Sequence, residues 1–384
     1  MQTKTLSIAR AAIARASRDL PADTCLREAL RSAKGLTPAD SRETSEAVFS
    51  YFRWYGWVRD LAPDQAILQA LELAEKFRNS PQIFSDADLY ERAIPSWIAQ
   101  EMEVSSAWVR SLQSVPRLWL RFKKGRGSVI RETLWDCEPV GNVALPETYS
   151  YTGSRDLFRT PEFQAGDFEL QDINSQIVGH LCGAAPGEKW WDACAGEGGK
   201  LMHLSDLMQN QGLIIASDRA AWRLRRLKQR AARAAVFNYR IAPWDGREKL
   251  PVKTLFDGVL VDAPCSGIGT WQRNPHARWT TTASDVAELA FIQRNILTHA
   301  AAAVKPGGKL VYAVCTLARA ETVETCAAFQ ERHPVFEPCP MQSPLQSGSA
   351  PTSQLCLHPH ESGGNGMYVA MWKKAIEEKS TVTS

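Results

Sequence analysis

The sequence predicts a doubly wound α/β domain with a mostly parallel sheet, preceded by an all-helical region. Two observations carry that prediction. After about residue 185, short apolar runs ending in small or acidic residues alternate with stretches of helical length, the pattern of strand–helix–strand crossovers. Before residue 80, apolar positions recur at three and four spacing, the period of a helix face, and no strand signal intervenes.

In the helical region the apolar stripe runs through Leu6, Ile8, Ala12 and Ile13, and again through Val48, Phe49, Phe52 and Val58. Thr37-Pro-Ala-Asp and Pro63-Asp64 read as helix starts, where proline gives up no hydrogen bond and an acid faces free backbone N–H groups. Residues 81 to about 115 continue helical and polar, punctuated by Pro81 and Pro95. The character changes near Pro116. Leu118-Trp-Leu-Arg-Phe is strand-like, and the basic Lys123-Lys-Gly-Arg follows it. Strands are then expected at Lys189-Trp-Trp-Asp-Ala-Cys, Leu213-Ile-Ile-Ala-Ser, Phe256 to Asp262, and Lys309 to Cys315, with helices from Lys200 and Arg219. The Pro-, Ser- and Gln-rich segment 338–355 is expected to be a long loop. The expected organisation is a helical domain over 1–80, a linker and core extension over 81–160, the core over 161–375, and a disordered tail over 376–384.

Composition narrows the classes. With 44% hydrophobic and 23% charged residues in 384, the chain is ordinary globular protein. A formal charge of +3 says nothing for a nucleic-acid partner, which must be argued from where the charge sits. No apolar run is long enough to span a membrane. The first residues lack the apolar region and cleavage site of a secretory signal, so a cytoplasmic location is expected. Nine cysteines without a C-x-x-C pair fit neither a disulfide framework nor a zinc site. Most should be buried thiols, and a functional cysteine has to be singled out by its surroundings.

Three motifs do that. Asp192-Ala-Cys-Ala-Gly-Glu-Gly-Gly-Lys200 is a strand end, a Gly-rich turn and a helix start, which brings bare backbone close to a ligand. Asp218 ends the next strand, where an acid can bind ribose hydroxyls. The spacing is neither G-x-G-x-x-G nor that of a Walker loop, which disfavours dinucleotides and nucleoside triphosphates. Asp262-Ala-Pro-Cys-Ser-Gly-Ile-Gly269 and Tyr312-Ala-Val-Cys-Thr316 each place a cysteine at the carboxyl end of a strand. A lone cysteine there is usually a small buried hydrophobe. Two on one sheet edge are harder to dismiss.

Together these residues resemble the Nol/Nop/Sun family of RNA cytosine-5 methyltransferases, and within it the bacterial small-subunit ribosomal-RNA methyltransferase B branch. Gln171-Asp-Ile-Asn-Ser-Gln176 matches the family's approach to the core, and Gly363-Gly-Asn-Gly-Met-Tyr resembles its closing strand. The resemblance implies a Rossmann-like class I methyltransferase core that takes S-adenosyl-L-methionine. It assigns Cys194, Ala195, Gly196, Glu197, Gly198, Gly199, Lys200, Asp218, Asp245 and Asp262 to the cofactor site. By the same resemblance Cys315 is the nucleophile, Cys265 assists product release, and Asp262 hydrogen-bonds the base. Three departures stand out. Glu197 replaces a proline or small residue, Cys315 is followed by Thr-Leu, and Asn365 replaces an aspartate.

The residue types suit the implied chemistry. Cytosine C5 is a poor nucleophile until a thiolate adds at C6, and cysteine both attacks and leaves well. The base must leave its stack, so a loop or opened helix is the expected substrate. The stretch Arg219 to Arg233 carries seven basic residues and no acid, favouring RNA contact over a mixed-sign solvated face. Arg121, Lys123, Lys124 and Arg126 form a second cluster. Arg42-Glu-Thr-Ser-Glu-Ala-Val-Phe-Ser-Tyr-Phe-Arg53 resembles part of a NusB-like RNA-binding domain. The implied partner is RNA, ribosomal first, with no membrane or metal and a monomeric chain. A transfer-RNA substrate remains open, as does a non-catalytic RNA-binding assembly factor on the same fold. Retention of Cys265, Cys315 and Asp262 argues against the latter.

Overall fold

The computed structural model describes residues 1–345, 348 and 350–376. They fall into two compact units, Met1–Pro116 with Ser266–Val286, and Arg117–Cys265 with the chain from Ala287 onward.

The first unit is helical. Its main helices are Thr3–Arg15, Ala22–Ser32, Pro38–Arg53 and Pro63–Asn79. The Thr37 hydroxyl accepts the Asp40 N–H and the Asp40 carboxylate accepts the Thr37 N–H, a reciprocal cap that fixes where the third helix begins. The core joins Ala9, Ala12, Ala22, Cys25, Leu26, Ala47, Val48, Phe52 and Ile67. Helical turns continue through residues 81–111, so this stretch belongs to the bundle and is not a linker. Residues 266–286 return to the same bundle, tied by Arg278 and by Trp279, which donates to the Phe52 carbonyl at 2.7 Å. The fully buried Arg278 donates to the backbone oxygens of Ala93 at 2.8 Å, Leu112 at 3.0 Å and Arg53 at 3.4 Å. Local sequence patterns carry no trace of such a long-range tie, which is why the expected boundaries at 80 and 160 miss it.

The second unit opens with an antiparallel sheet of β1 (Leu118–Phe122), β2 (Cys137–Pro139), β3 (Thr148–Tyr151) and β4 (Phe168–Leu170), in the order β2-β3-β1-β4. The main sheet holds β5 (Lys189–Asp192), β6 (Leu213–Ala216), β7 (Tyr239–Ile241), β8 (Phe256–Asp262), β9 (Val304–Val314), β10 (Phe336–Pro338), β11 (Gln354–Leu357) and β12 (Met367–Lys374). Its order is β10-β12-β9-β8-β5-β6-β7, with β11 also on β12. β5 to β9 pair in parallel, and β12 runs antiparallel to β9. Both faces are buried. Trp190, Ile214, Leu260 and Val311 point to one side, and Trp191, Ile215, Val261 and Tyr312 to the other, as the two-residue period requires. Gly258 lies opposite Trp190, whose ring would come within 2.4 Å of a Cβ there, so only glycine lets that indole lie flat on β8.

The loop expected over 338–355 is partly structured. β10 and β11 take its ends, and Met341 pairs with Thr352 between them. Gln346, Ser347 and Ser349, and residues 377–384 of the expected tail, lie outside the described residues.

Candidate active site

The chain leaves β5 to build outward through β6 and β7, then returns to start β8 on the other side of β5. This reversal of strand order opens a crevice at the carboxyl ends of β5 and β8, the usual ligand site of an open α/β sheet. The crevice is a cavity of about 490 Å³, within the range of small-molecule sites. Cys194, Ala195, Gly196, Glu197, Gly199, Lys200, Asp218, Asp245, Asp262, Cys265 and Cys315 all line it. Of the residues singled out from sequence, only Gly198 is not on its wall. It takes φ +88° and packs on the helix Ala221–Arg233, where a Cβ would meet Leu227 at 2.8 Å.

Strand register brings the two cysteines together. Asp262 pairs with Ala313 across β8 and β9, so Cys265 and Cys315 emerge three and two residues past the same rung. Their sulfurs lie 3.2 Å apart. Behind them, Gln293 donates to the Pro264 carbonyl at 2.9 Å and to Glu321 at 2.8 Å, and Tyr312 donates to Gln293 at 2.9 Å. The Thr316 hydroxyl donates to the other Glu321 oxygen at 3.0 Å, so threonine in place of serine keeps the bond. Gln293, Glu321 and Tyr312 are fully buried and brace both cysteine loops. Sequence reading missed Gln293, which sits on a helix far from either motif, and Glu321, which lies five residues past Thr316 but outside the motif's pattern.

Charge organises the rest. Lys200, 8% exposed, donates to Asp262 at 2.7 Å. Burial pulls its pKa down, but Asp262, helped by Cys315 and Asp192, more than reverses that, and the net direction is upward. Asp192 was quoted in the first motif but not assigned a role; it proves to be part of the wall. It is 1% exposed, and neither carboxylate oxygen has a hydrogen bond of normal geometry. Burial and then Asp262 push it up to about 8, against small offsets from Lys200 and the nearby Cys194 amide. Burial, followed by the surrounding carboxylates, keeps Cys194 a thiol. Trp244 and Ile296 add apolar wall, also unmarked in the sequence reading.

The other acids near the Gly-rich turn are already engaged. Asp218 accepts the N–H of Gly196 at 3.1 Å and of Ala220 at 2.7 Å, which fixes the turn against β6. Glu197 meets Arg226 at 2.7 Å, and its carbonyl accepts from Arg230 at 3.1 Å. The negative charge at this unusual position is thus matched from the neighbouring helix. Asp245, 57% exposed at its side chain, pairs with Arg247 at 3.2 Å within its own loop. Asn365 joins the first and last motifs through its backbone. Its N–H donates to Asp172 at 2.9 Å and its carbonyl accepts from Asn174 at 2.7 Å, bonds that an aspartate would make equally.

The basic stretch is less open than its sequence suggests. Arg223, Arg226, Arg230 and Arg233 pair with Asp218, Glu197 and Glu169, acids supplied by other elements and so invisible in the helix itself. Arg219, Arg225 and Lys228 are exposed, and among the described residues they form no ion pair. In the second cluster Arg121 is buried against Gln171 and Asp206, and Arg126 pairs with Asp167, so this cluster is largely structural. Among the described residues no group of three or more metal-ligating side chains forms, and no helix is long and apolar enough to cross a membrane.

A parallel sheet closed by an antiparallel β12, with a Gly-rich turn at the switch point, defines a class I methyltransferase fold. The crystal structure of PH0851 shares it, with a TM-score of 0.80 over 97% of this chain and 99% of that one, at 22% identity. Residues 181–373 match the family model described as 16S rRNA methyltransferase RsmB/F, and the chain belongs to that family. The probable ribosomal RNA small subunit methyltransferase B of Synechocystis sp. is 38% identical over 227 residues, 57% of this chain and 50% of that protein. The ribosomal RNA small subunit methyltransferase B of Xylella fastidiosa is 32% identical over 315 residues, 77% of this chain and 71% of that one. The alignments with the Synechocystis protein and with its Bacillus subtilis counterpart span about half the length of each.

Proposed function

We propose that this chain is an S-adenosylmethionine-dependent RNA cytosine-C5 methyltransferase acting on 16S ribosomal RNA. The observation that carries the reading is the pair of cysteine sulfurs 3.2 Å apart on the wall of the crevice that also holds the Gly-rich turn.

The crevice fits the cofactor. Its turn offers backbone at close range, Trp244 and Ile296 suit an adenine, and Asp218 stands where ribose hydroxyls bind. A cation bound beside Asp192 would offset the burial that raises its pKa and draw it back toward the charged form. S-adenosylmethionine, when bound there, supplies an electrophilic methyl group on a cationic sulfur.

The chain's own residues do the rest. Cys315 adds through sulfur to C6 of the flipped cytosine, which makes C5 electron-rich. Asp262, held by Lys200, faces the polar edge of the base and stabilises charge that develops during attack. Cys265, in contact with Cys315, assists expulsion of the thiolate as the C5 proton departs and the ring regains aromaticity. Exposed Arg219, Arg225 and Lys228 attract the RNA backbone, and the helical unit supplies a second RNA contact in the manner of a NusB-like domain.

The test pairs two variants on 16S RNA and on transfer RNA. Cys265→Ala should accumulate a covalent protein–RNA adduct, seen as a slow-migrating band that disappears when Cys315→Ala is added. Cys315→Ala alone should lower methyl transfer by more than about a thousandfold, as loss of a covalent nucleophile does. Turnover within about tenfold of the parent would refute the nucleophile assignment. Bisulfite sequencing of both RNAs from a deletion strain identifies the substrate. A site lost only from transfer RNA would replace the ribosomal reading.

A further inference from the structure

We propose that the helical unit carries a second ligand site, a cavity for an unpaired nucleotide of the RNA, with a phosphate on Arg53 and the base against Phe49 and Gln113. The proposal rests on the RNA reading above and adds to it a site that the family chemistry does not use.

The cavity measures about 1070 Å³ and lies between the helices Pro38–Arg53 and Pro63–Asn79, with Gln113 to Pro116 and Arg273 along one side. Its walls are mostly apolar, yet four arginines reach it against one acid. Glu46 is matched by Arg78 at 3.1 Å. Among the described residues, no carboxylate lies within ion-pair distance of Arg42, Arg53 or Arg273.

Arg53 is the telling one. It is 5% exposed, and among the described residues its Nε has no hydrogen-bond partner and its guanidinium makes a single 3.4 Å bond, to the Gln272 carbonyl. Arg278, buried in the same unit and likewise without a partner at Nε, differs in its terminal nitrogens, which sit on several carbonyls. A guanidinium out of water with so little compensation is costly, and an anion is its natural complement. Gln113 gives an independent sign. It is 3% exposed, and among the described residues neither its amide nitrogen nor its oxygen is hydrogen-bonded.

A native fold rarely leaves a whole carboxamide unsatisfied without a use for it. A carboxamide offers one donor and one acceptor side by side, the complement of a nucleobase edge. Phe49, half-buried on the same wall, supplies a ring face, and bases splayed from single-stranded RNA stack on such rings. An anionic group, a flat ring and a donor–acceptor edge together describe a nucleotide.

The test measures binding, so its failure is separable from failure of the methylation reading. The full chain carrying Cys315→Ala is titrated with oligouridylate and oligoadenylate, and crosslinked to the same oligomers bearing thiouridine. Crosslinks should map to residues 38–53 or 113–116. Gln113→Leu should weaken binding by about tenfold, the loss expected for two buried hydrogen bonds. Because it removes unsatisfied polar atoms, it should not lower the urea unfolding midpoint. Ser45→Trp, which fills the cavity from the helix face, should weaken binding similarly even if Gln113→Leu proves unstable. Parent-like affinity in the folded variants, or crosslinks confined to residues 117–265 or beyond 286, would overturn the proposal.

Discussion

Lys200 and Arg53 are both cations almost removed from water, 8% and 5% exposed, and they have opposite surroundings. Lys200 meets Asp262 at 2.7 Å, and its pKa ends above the ordinary value despite burial. Arg53 meets no carboxylate, and burial draws it down to about 10, so it remains charged at neutral pH. A buried charge matched inside the fold is holding a neighbour in place. One left unmatched beside a cavity is waiting for something from outside.

Stability should separate them first. Lys200→Met strands a carboxylate and should cost about 2–3 kcal/mol in urea unfolding, less than for a fully buried pair because the Asp262 side chain keeps 30% exposure. Adding Asp262→Asn should recover part of that loss. Arg53→Met should cost less than about 1 kcal/mol or raise stability, since it removes a charge with no carboxylate partner. Equal losses in the two variants would erase the distinction.

Cofactor binding sharpens it within the methyltransferase unit. Asp218→Ala removes the anchor of the Gly196 turn and the carboxylate proposed to accept from the ribose, and should weaken S-adenosylmethionine about tenfold by calorimetry. Unchanged affinity would mean the acid serves the turn alone.

Asp192 extends the comparison to an anion. Its folded pKa, about 8, lies above the ordinary 3.8, so its contribution to stability is fully present below pH 3.8 and is lost as pH rises toward 8. The melting temperature of Asp192→Asn minus that of the parent should therefore be larger at about pH 9 than at about pH 5. A constant difference would show that the carboxylate is solvated. The smallest effect belongs to Arg226→Gln. That ion pair is half exposed and should change cofactor affinity by only about two- or threefold, fading with salt.

What the sequence could reveal follows the range of each interaction. β1 and β8 were legible to the residue because apolar runs and end-of-strand acids are local signals. The Gly-rich turn and both cysteine motifs were legible for the same reason, and register alone then brought Cys265 to Cys315. Gln293, Glu321 and Trp244 were not legible, because their roles come from contacts across the fold. The basic helix misled in the opposite direction. Its acids, Asp218, Glu197 and Glu169, come from other elements, so a run that reads as seven open cations leaves three without an ion pair. The return of residues 266–286 to the first unit runs through long-range contacts of Arg278 and Trp279, which nothing local in the sequence marks.

The contact of Gly198 with Leu227 makes the Gly-rich turn and the helix Ala221–Arg233 one mechanical part. Glu197 and Arg226 add a stitch at the rim, and Arg230 adds another at the Glu197 carbonyl. A substitution at Arg226 or Arg230, made to weaken RNA, will therefore also nudge the Gly-rich turn. Removing charge at Arg225 or Lys228 leaves those stitches intact and isolates the RNA term. Removing it at Arg226 or Arg230 confounds the two. A scan of this helix read through methylation alone would assign to RNA recognition what belongs to the cofactor.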